Sequence, residues 1–365
     1  MGAIRYTLQT KKDAIESKSA ATILKKIFML EEKHMYINQI FELSMVLDHE
    51  RFHKVFKYAY NKAGCMENGE GEYIDLSLER KGITFIYRDS QYKKKIKLIV
   101  NIGRLLNEYE HDTDKIIRKL NKRIGEYLSF KFKLDDFFIS GIKLVMDINV
   151  GTHDGVAAYL KVFRRIGRVK GFSPVSYECF EDVDSFCLDG NSNGIEFMIY
   201  DLEGLYKKQF KEGRIGRKRF KELIKESEGI LRTEVWLAKT KAVRAYAGEE
   251  DIFRQIINLS EKRQDIFLEI FVRIIPFGDF YKKDKAVEMI QRDVKDIRLR
   301  RKMVRLVTLI PEKKSLYLAQ KAMDCRDMEK LMGAFAKINV SPVTISKRHD
   351  IKYLKCLYEF MMDDK

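Results

Sequence analysis

Four stretches of this chain alternate apolar and ionisable side chains with a period of two: residues 96–101, 142–149, 195–200 and 231–237. Successive side chains of a strand point to opposite faces, so this period specifies strands with one dry face and one polar face. Ile142, Leu144, Met146 and Ile148 fall on one side of their stretch, and Lys143, Val145, Asp147 and Asn149 on the other. The same sorting places Ile195, Phe197 and Ile199 opposite Glu196, Met198 and Tyr200. It also places Leu231, Thr233, Val235 and Leu237 opposite Arg232, Glu234 and Trp236. If the strands share a sheet, helices cover the apolar face. The other face gathers Asp147, Glu196, Glu234, Lys143, Lys97, Arg232 and Tyr200. Such a face is either a solvated lattice of salt bridges or a site for a divalent metal and a phosphate.

Further strands are expected at 34–47, 73–79 and 83–88, with Arg80-Lys81-Gly82 turning a hairpin, and the strand containing 142–149 is expected to start at 137. Helical spacing appears at 49–62, 112–128 and 154–166, with Asp48 as an N-cap, and a basic helical stretch fills 202–227. This mixture predicts an α+β fold, an antiparallel sheet with helices on one face. Beyond residue 248 the pattern is wholly helical, with turns near Pro276, Pro311 and Pro342. Three units follow: a mobile or helical arm over 1–33, an α+β domain over 34–247, and an all-helical domain over 248–365. Hydrophobic residues make up 45% of the 365 residues, enough to exclude a disordered chain.

The five cysteines are scattered without a Cys-x-x-Cys pair, so a disulfide scaffold or zinc ribbon is not expected. The most apolar run, Ile266 to Phe277, contains Glu269 and Arg273 and is too short to span a bilayer. Residues 1–35 lack an apolar export core. A cytoplasmic protein with reduced thiols and no membrane partner is therefore expected.

A net charge of +16 points to a polyanionic partner. Residues 207–219, KKQFKEGRIGRKR, hold seven basic residues and one acid. Lys207, Lys208, Lys211, Arg214, Arg217, Lys218 and Arg219 are expected to hold a DNA strand. Near the C-terminus, two helices are expected at 327–338 and 343–361 around Val340 to Pro342. Thr344, Ser346, Lys347 and Arg348 then stand where a helix-turn-helix reader begins, or in an ordinary helical hairpin. His49-Glu50-Arg51-Phe52-His53 matches the His-Glu-x-x-His zinc pattern, although His49, His53 and Lys57 share a polar stripe. His111 or His153 would have to supply a third ligand.

The order of segments resembles the rolling-circle replication initiators of plasmids and filamentous phages, the replication initiation factor family. The resemblance is carried by FFISGIKLVMDI at 137–148 ending near Asp147, IEFMIYDLE at 195–203 with Tyr200 and Asp201, and LRTEVWL at 231–237 with Arg232 and Glu234. KIKLIVNIGRLL at 95–106 adds an Asn-x-x-x-Leu-Leu stretch, so the likeness spans roughly residues 35–245. It implies an enzyme that nicks one DNA strand at an origin through a phosphotyrosine, with Mg²⁺ or Mn²⁺, and later rejoins it. Tyr200 would be the nucleophile, with Tyr206 the alternative. Asp147, Glu234 and then Glu196 would hold the metal, and Arg232 and Lys143 would contact phosphate. The implied partners are single-stranded or origin duplex DNA, a host helicase and polymerase, and a second copy in a homodimer. The sequence departs from the family at Lys143 and Leu202 and has no His-hydrophobe-His pair. A non-catalytic DNA-binding protein of a mobile element is the competing expectation, and a zinc hydrolase at His49 and His53 the remote one.

Overall fold

The computed structural model describes residues 35–361, except 68, 70, 107–111, 129–131, 249–250, 324 and 326. The expected N-terminal arm and His111 lie outside the described residues. Ten strands form one antiparallel sheet in the order β2-β3-β4-β5-β1-β6-β10-β9-β8-β7. They are β1 (Asn38–Leu47), β2 (Met66–Glu67), β3 (Glu72–Asp75), β4 (Ile83–Asp89), β5 (Lys94–Asn101), β6 (Phe138–Asn149), β7 (Ser173–Pro174), β8 (Ser185–Asp189), β9 (Ile195–Asp201) and β10 (Ile230–Leu237). Between them run α1 (His49–Ala63), α2 (Ile102–Leu106), α3 (Thr113–Leu128), α4 (His153–Phe163), α5 (Leu202–Lys211) and α6 (Arg217–Ser227). After β10 come α7 (Thr240–Ala247), α8 (Ile252–Glu261), α9 (Arg263–Ile274), β11 (Phe280–Tyr281), α10 (Lys283–Asp293), α11 (Ile297–Lys313), α12 (Leu316–Met323), α13 (Met328–Lys337), β12 (Tyr353–Leu354) and α14 (Leu357–Met361).

Local chemistry starts and stops these elements. The Asp48 carboxylate accepts from the Arg51 N–H at 2.8 Å and caps α1 as expected. Thr152 caps α4 in the same way through Gly155. The expected 73–79 strand ends early, at Asp75, because that carboxylate accepts from Ser77 N–H and bends the chain. The basic 202–227 stretch is two helices, broken where Gly213 takes φ +73°.

The alternation seen in the sequence sets which face is buried. Ile142, Leu144, Phe197, Ile199, Leu231 and Val235 are almost inaccessible and lie in one cluster that runs from Met35 to Met361. Helices on both sides of residue 248 feed that cluster. The core therefore does not divide at the boundary expected near residue 247: α8 and α14 pack on β6, and α9 packs on β10. Gln39 on β1 donates to the Leu259 carbonyl on α8 at 3.1 Å. Phe271 on α9 meets Phe267, Phe197 and Tyr358 with ring centroids 5.1–6.0 Å apart. Phe271→Ala is expected to cost about 3–5 kcal/mol. The loss should appear as a lower midpoint of one urea transition shared by sheet and C-terminal helices; two separated transitions would contradict a single core.

Four further expectations are corrected. Strands exist beyond residue 248, in the small β11–β12 pair. Pro311 lies inside α11 close to its end, where a missing N–H costs one hydrogen bond rather than the helix. No helix spans 343–361. Ile345 instead bridges Lys282, while the Asp279 carboxylate accepts from Cys356 N–H at 2.7 Å and from the Tyr353 hydroxyl at 3.3 Å. Those bonds hold the segment extended, so the helix-turn-helix start does not form. Helices are also not confined to one face. The strap at 175–180 and α5 cover part of the polar face through a second apolar cluster of Cys187, Met198, Tyr200, Leu202 and Ile230.

Candidate functional site

Register brings the expected residues of the polar face into adjacent rows. Asp147, Arg232 and Tyr200 lie side by side on β6, β10 and β9. The next row is Val145, Glu234 and Met198, and the next Lys143, Trp236 and Glu196. Arg232 grips Asp147 with two parallel bonds, Nε to Oδ1 at 2.6 Å and Nη2 to Oδ2 at 2.7 Å. Burial works against the Arg232 charge. The Asp147 carboxylate outweighs it and, with Tyr200 and Tyr206 as neighbours, holds the guanidinium well above its ordinary pKa.

Tyr200 is only 3% exposed and sits under the Phe180 ring of the strap, 4.4 Å between centroids. Its hydroxyl donates to Glu234 Oε1 at 2.6 Å. Burial first, and the Glu234 charge next, push this phenol well above the usual range. It is a neutral hydrogen-bond donor locked in place. Lys143 approaches the other Glu234 oxygen at 3.6 Å and lies 4.6 Å over the Trp236 ring. Glu196 accepts from the Tyr177 hydroxyl.

The open part of the site is a cleft of about 1050 Å³ at one end of the sheet. It exists because β1 pairs with β6 only as far as Asn38–Val145, while β6 continues to Asn149 against β10. Asp147, Arg232 and Glu234 line it, together with Arg104, Tyr206 and Arg219. Tyr206 reaches the cleft because Leu202, Leu205 and Tyr206, three and four residues apart, form the sheet-facing stripe of α5. Arg219, Leu223 and Glu226 form the corresponding stripe of α6. Arg104 and Glu226 escaped the sequence reading. For Glu226, its spacing of seven residues from Arg219 was the available signal.

The other basic residues divide by their partners. Lys207 is held by Glu203 at 2.6 Å, Arg214 by Glu212 at 3.0 Å and Arg219 by Glu222 at 3.2 Å. Lys208 donates to the Glu178 carbonyl at 2.8 Å and so ties the strap to α5. Lys211, Arg217 and Lys218 are exposed near the α5–α6 turn. Lys347 and Arg348 lie far along the chain on the irregular 345–349 loop, and Lys347 is 3.9 Å from Asp284.

The carboxylates do not fit a divalent metal in this arrangement. Arg232 occupies both Asp147 oxygens, Tyr200 and Lys143 engage Glu234, and Tyr177 engages Glu196. Among the described residues no three His, Cys, Asp or Glu side chains are placed to hold an ion. The His49 and His53 rings do meet, at 4.2 Å between centroids, and His53 lies 3.8 Å from Asp89. Asp89 also pairs with Lys94. His153 lies elsewhere, 3.7 Å from Asp201 and 3.8 Å from Glu203, so it supplies no third ligand to the His49–His53 pair.

Among the described residues no helix is long and apolar enough to cross a membrane. No protein-family model and no curated protein matches the chain. Among solved structures it is similar to a rolling circle replication initiator protein from Geobacillus stearothermophilus, at 11% identity and a TM-score of 0.29. That match covers 86% of this chain and 98% of the other.

Proposed function

We propose that the chain binds a DNA strand in the cleft and breaks and rejoins it by transesterification from Tyr206, as a rolling-circle replication initiator would. The observation that carries this reading is the pairing of an accessible phenol with a fixed cation: Tyr206 lines the cleft beside the Asp147–Arg232 pair, whereas Tyr200 is buried and bonded to Glu234. Tyr206 Oη would attack the phosphorus, forming a phosphotyrosine ester and breaking the P–O3′ bond. The phenolic proton would pass to Glu226 or to water, and the departing 3′ oxygen would take up a proton to become a hydroxyl. Reversal by that hydroxyl would rejoin the strand. Arg232 and Arg219 would stabilise the charge that builds on the phosphoryl oxygens. No step of this scheme needs Asp147 or Glu234 to give up the partner it has.

Incubation with labelled single-stranded DNA followed by a denaturing gel tests the reading through a covalent adduct. Salt-sensitive binding without an adduct would leave a non-catalytic DNA-binding protein.

The exposed cations of the α5–α6 turn should neutralise strand phosphates. Replacing Lys211, Arg217 and Lys218 together with Gln is expected to lower the slope of log affinity against log salt by about 1 for each phosphate left without its cation. Anisotropy with a single-stranded oligonucleotide at several salt concentrations measures it. An unchanged slope would remove this turn from the DNA path.

A further inference from the structure

A second basic concavity lies away from the cleft. It is a pocket of about 250 Å³ between the C-terminal end of α4 and the 345–349 loop, and it shares no lining residue with the Tyr206 cleft. Its polar wall consists of Lys161, Arg165, Ser346, Arg348 and His349, with no carboxylate among the lining residues. Two adjacent cations differ in having carboxylate partners: Arg164 has Asp184 at 2.6 Å, and Lys347 has Asp284 at 3.9 Å. Arg165 donates to the Thr344 carbonyl, a neutral acceptor that cannot balance its charge. Among the described residues Lys161, Arg165 and Arg348 have no carboxylate partner. Burial pushes the Arg165 guanidinium below its ordinary value, the sign of a half-buried cation lacking an anion.

The other polar members of the wall add donors. His349 Nδ1 accepts from the Ile351 N–H at 3.3 Å, so the proton of the neutral ring sits on Nε2. The Ser346 hydroxyl adds another donor. A wall of three cations, an imidazole N–H and a hydroxyl is rich in donors and positive charge, which an oxyanion complements and a cation does not. The volume lies below the about 300–1,000 Å³ of drug-sized ligand pockets, so it suits one tetrahedral group rather than a whole nucleotide.

We propose that this pocket binds a single phosphate group. The group is supplied either as a free phosphate species or as one phosphodiester of a DNA strand lying outside the cleft. The proposal does not depend on Tyr206 being a nucleophile.

Two probes on the full chain distinguish the sources: inorganic phosphate by calorimetry in chloride buffer, and a single-stranded oligonucleotide by anisotropy. Arg348→Gln and Lys161→Gln are the main variants, because both side chains are exposed. Arg165→Gln is secondary, since it also releases the Thr344 carbonyl. Saturable phosphate binding that weakens at least about tenfold in Arg348→Gln establishes a free-phosphate site. Absent phosphate binding, with oligonucleotide affinity falling severalfold in both variants but not in Lys93→Gln on the β4–β5 turn, establishes a strand phosphate. Identical behaviour of both variants and the parent towards both probes overturns the proposal. Tyr206→Phe is expected to leave phosphate binding unchanged, so failure of the nicking reading and failure of this pocket remain separable.

Discussion

Tyr206→Phe is expected to abolish the covalent protein–DNA adduct, a drop of at least about 10³-fold, while strand affinity stays close to that of the parent. Phenylalanine keeps the ring that lies along α5 and removes only the oxygen that would bond to phosphorus. Tyr200→Phe is expected to behave differently. It deletes the hydroxyl that donates to Glu234 at 2.6 Å and leaves that carboxylate oxygen short of a partner. The cost is about 1–3 kcal/mol of stability, with the adduct retained. A denaturing gel and a urea titration on each variant separate chemistry from folding. Should Tyr200→Phe alone lose the adduct, the nucleophile is Tyr200, and the Phe180 strap must move aside for each turnover.

Arg232→Ala is expected to have the next largest effect. It removes the cation centred in the cleft and the bidentate clamp on Asp147, leaving that carboxylate as uncompensated negative charge facing the strand. Affinity should fall about tenfold, which corresponds to about 1.4 kcal/mol. Adduct formation should fall a further 10²–10³-fold or so, the effect of losing a transition-state charge donor. Asp147→Asn is the informative counterpart. It keeps Arg232 and its charge, and should retain strand binding and most of the adduct. Loss of a Mn²⁺-stimulated adduct in Asp147→Asn would instead make Asp147 a metal ligand and overturn the closed-pair reading.

Period-two alternation was enough to place Asp147, Arg232, Tyr200, Glu234, Lys143 and Glu196 on one face, because register within an antiparallel sheet follows from which side must be dry. Alternation does not reveal what covers that face. The strap that buries Tyr200 comes from 175–180, where Val175, Tyr177 and Phe180 follow no helical or strand period. The short β8 was missed for a related reason, as five residues with an apolar middle carry little periodic signal. The helix foreseen at 343–361 fails on a tertiary cause. The Asp279 carboxylate captures the Cys356 N–H and Tyr353 hydroxyl from about 75 residues upstream, a partner that local spacing cannot disclose. Tyr206 and Arg219 fall together in the cleft only because Gly213 turns α6 back along α5.

The shared core also sets an order of events during synthesis. The apolar face of β6, β9 and β10 is complete once residue 237 has left the ribosome, but α4 and α7 cover only part of it, and α8, α9 and α14 complete the cover later. The ties that close it are long in sequence: Gln39 to Leu259, Tyr159 to the Lys355 carbonyl, and Tyr358 to the Ile275 carbonyl. A nascent chain stopped near residue 247 therefore still presents part of that apolar face to its surroundings, the kind of exposed surface that makes partly folded chains prone to aggregate.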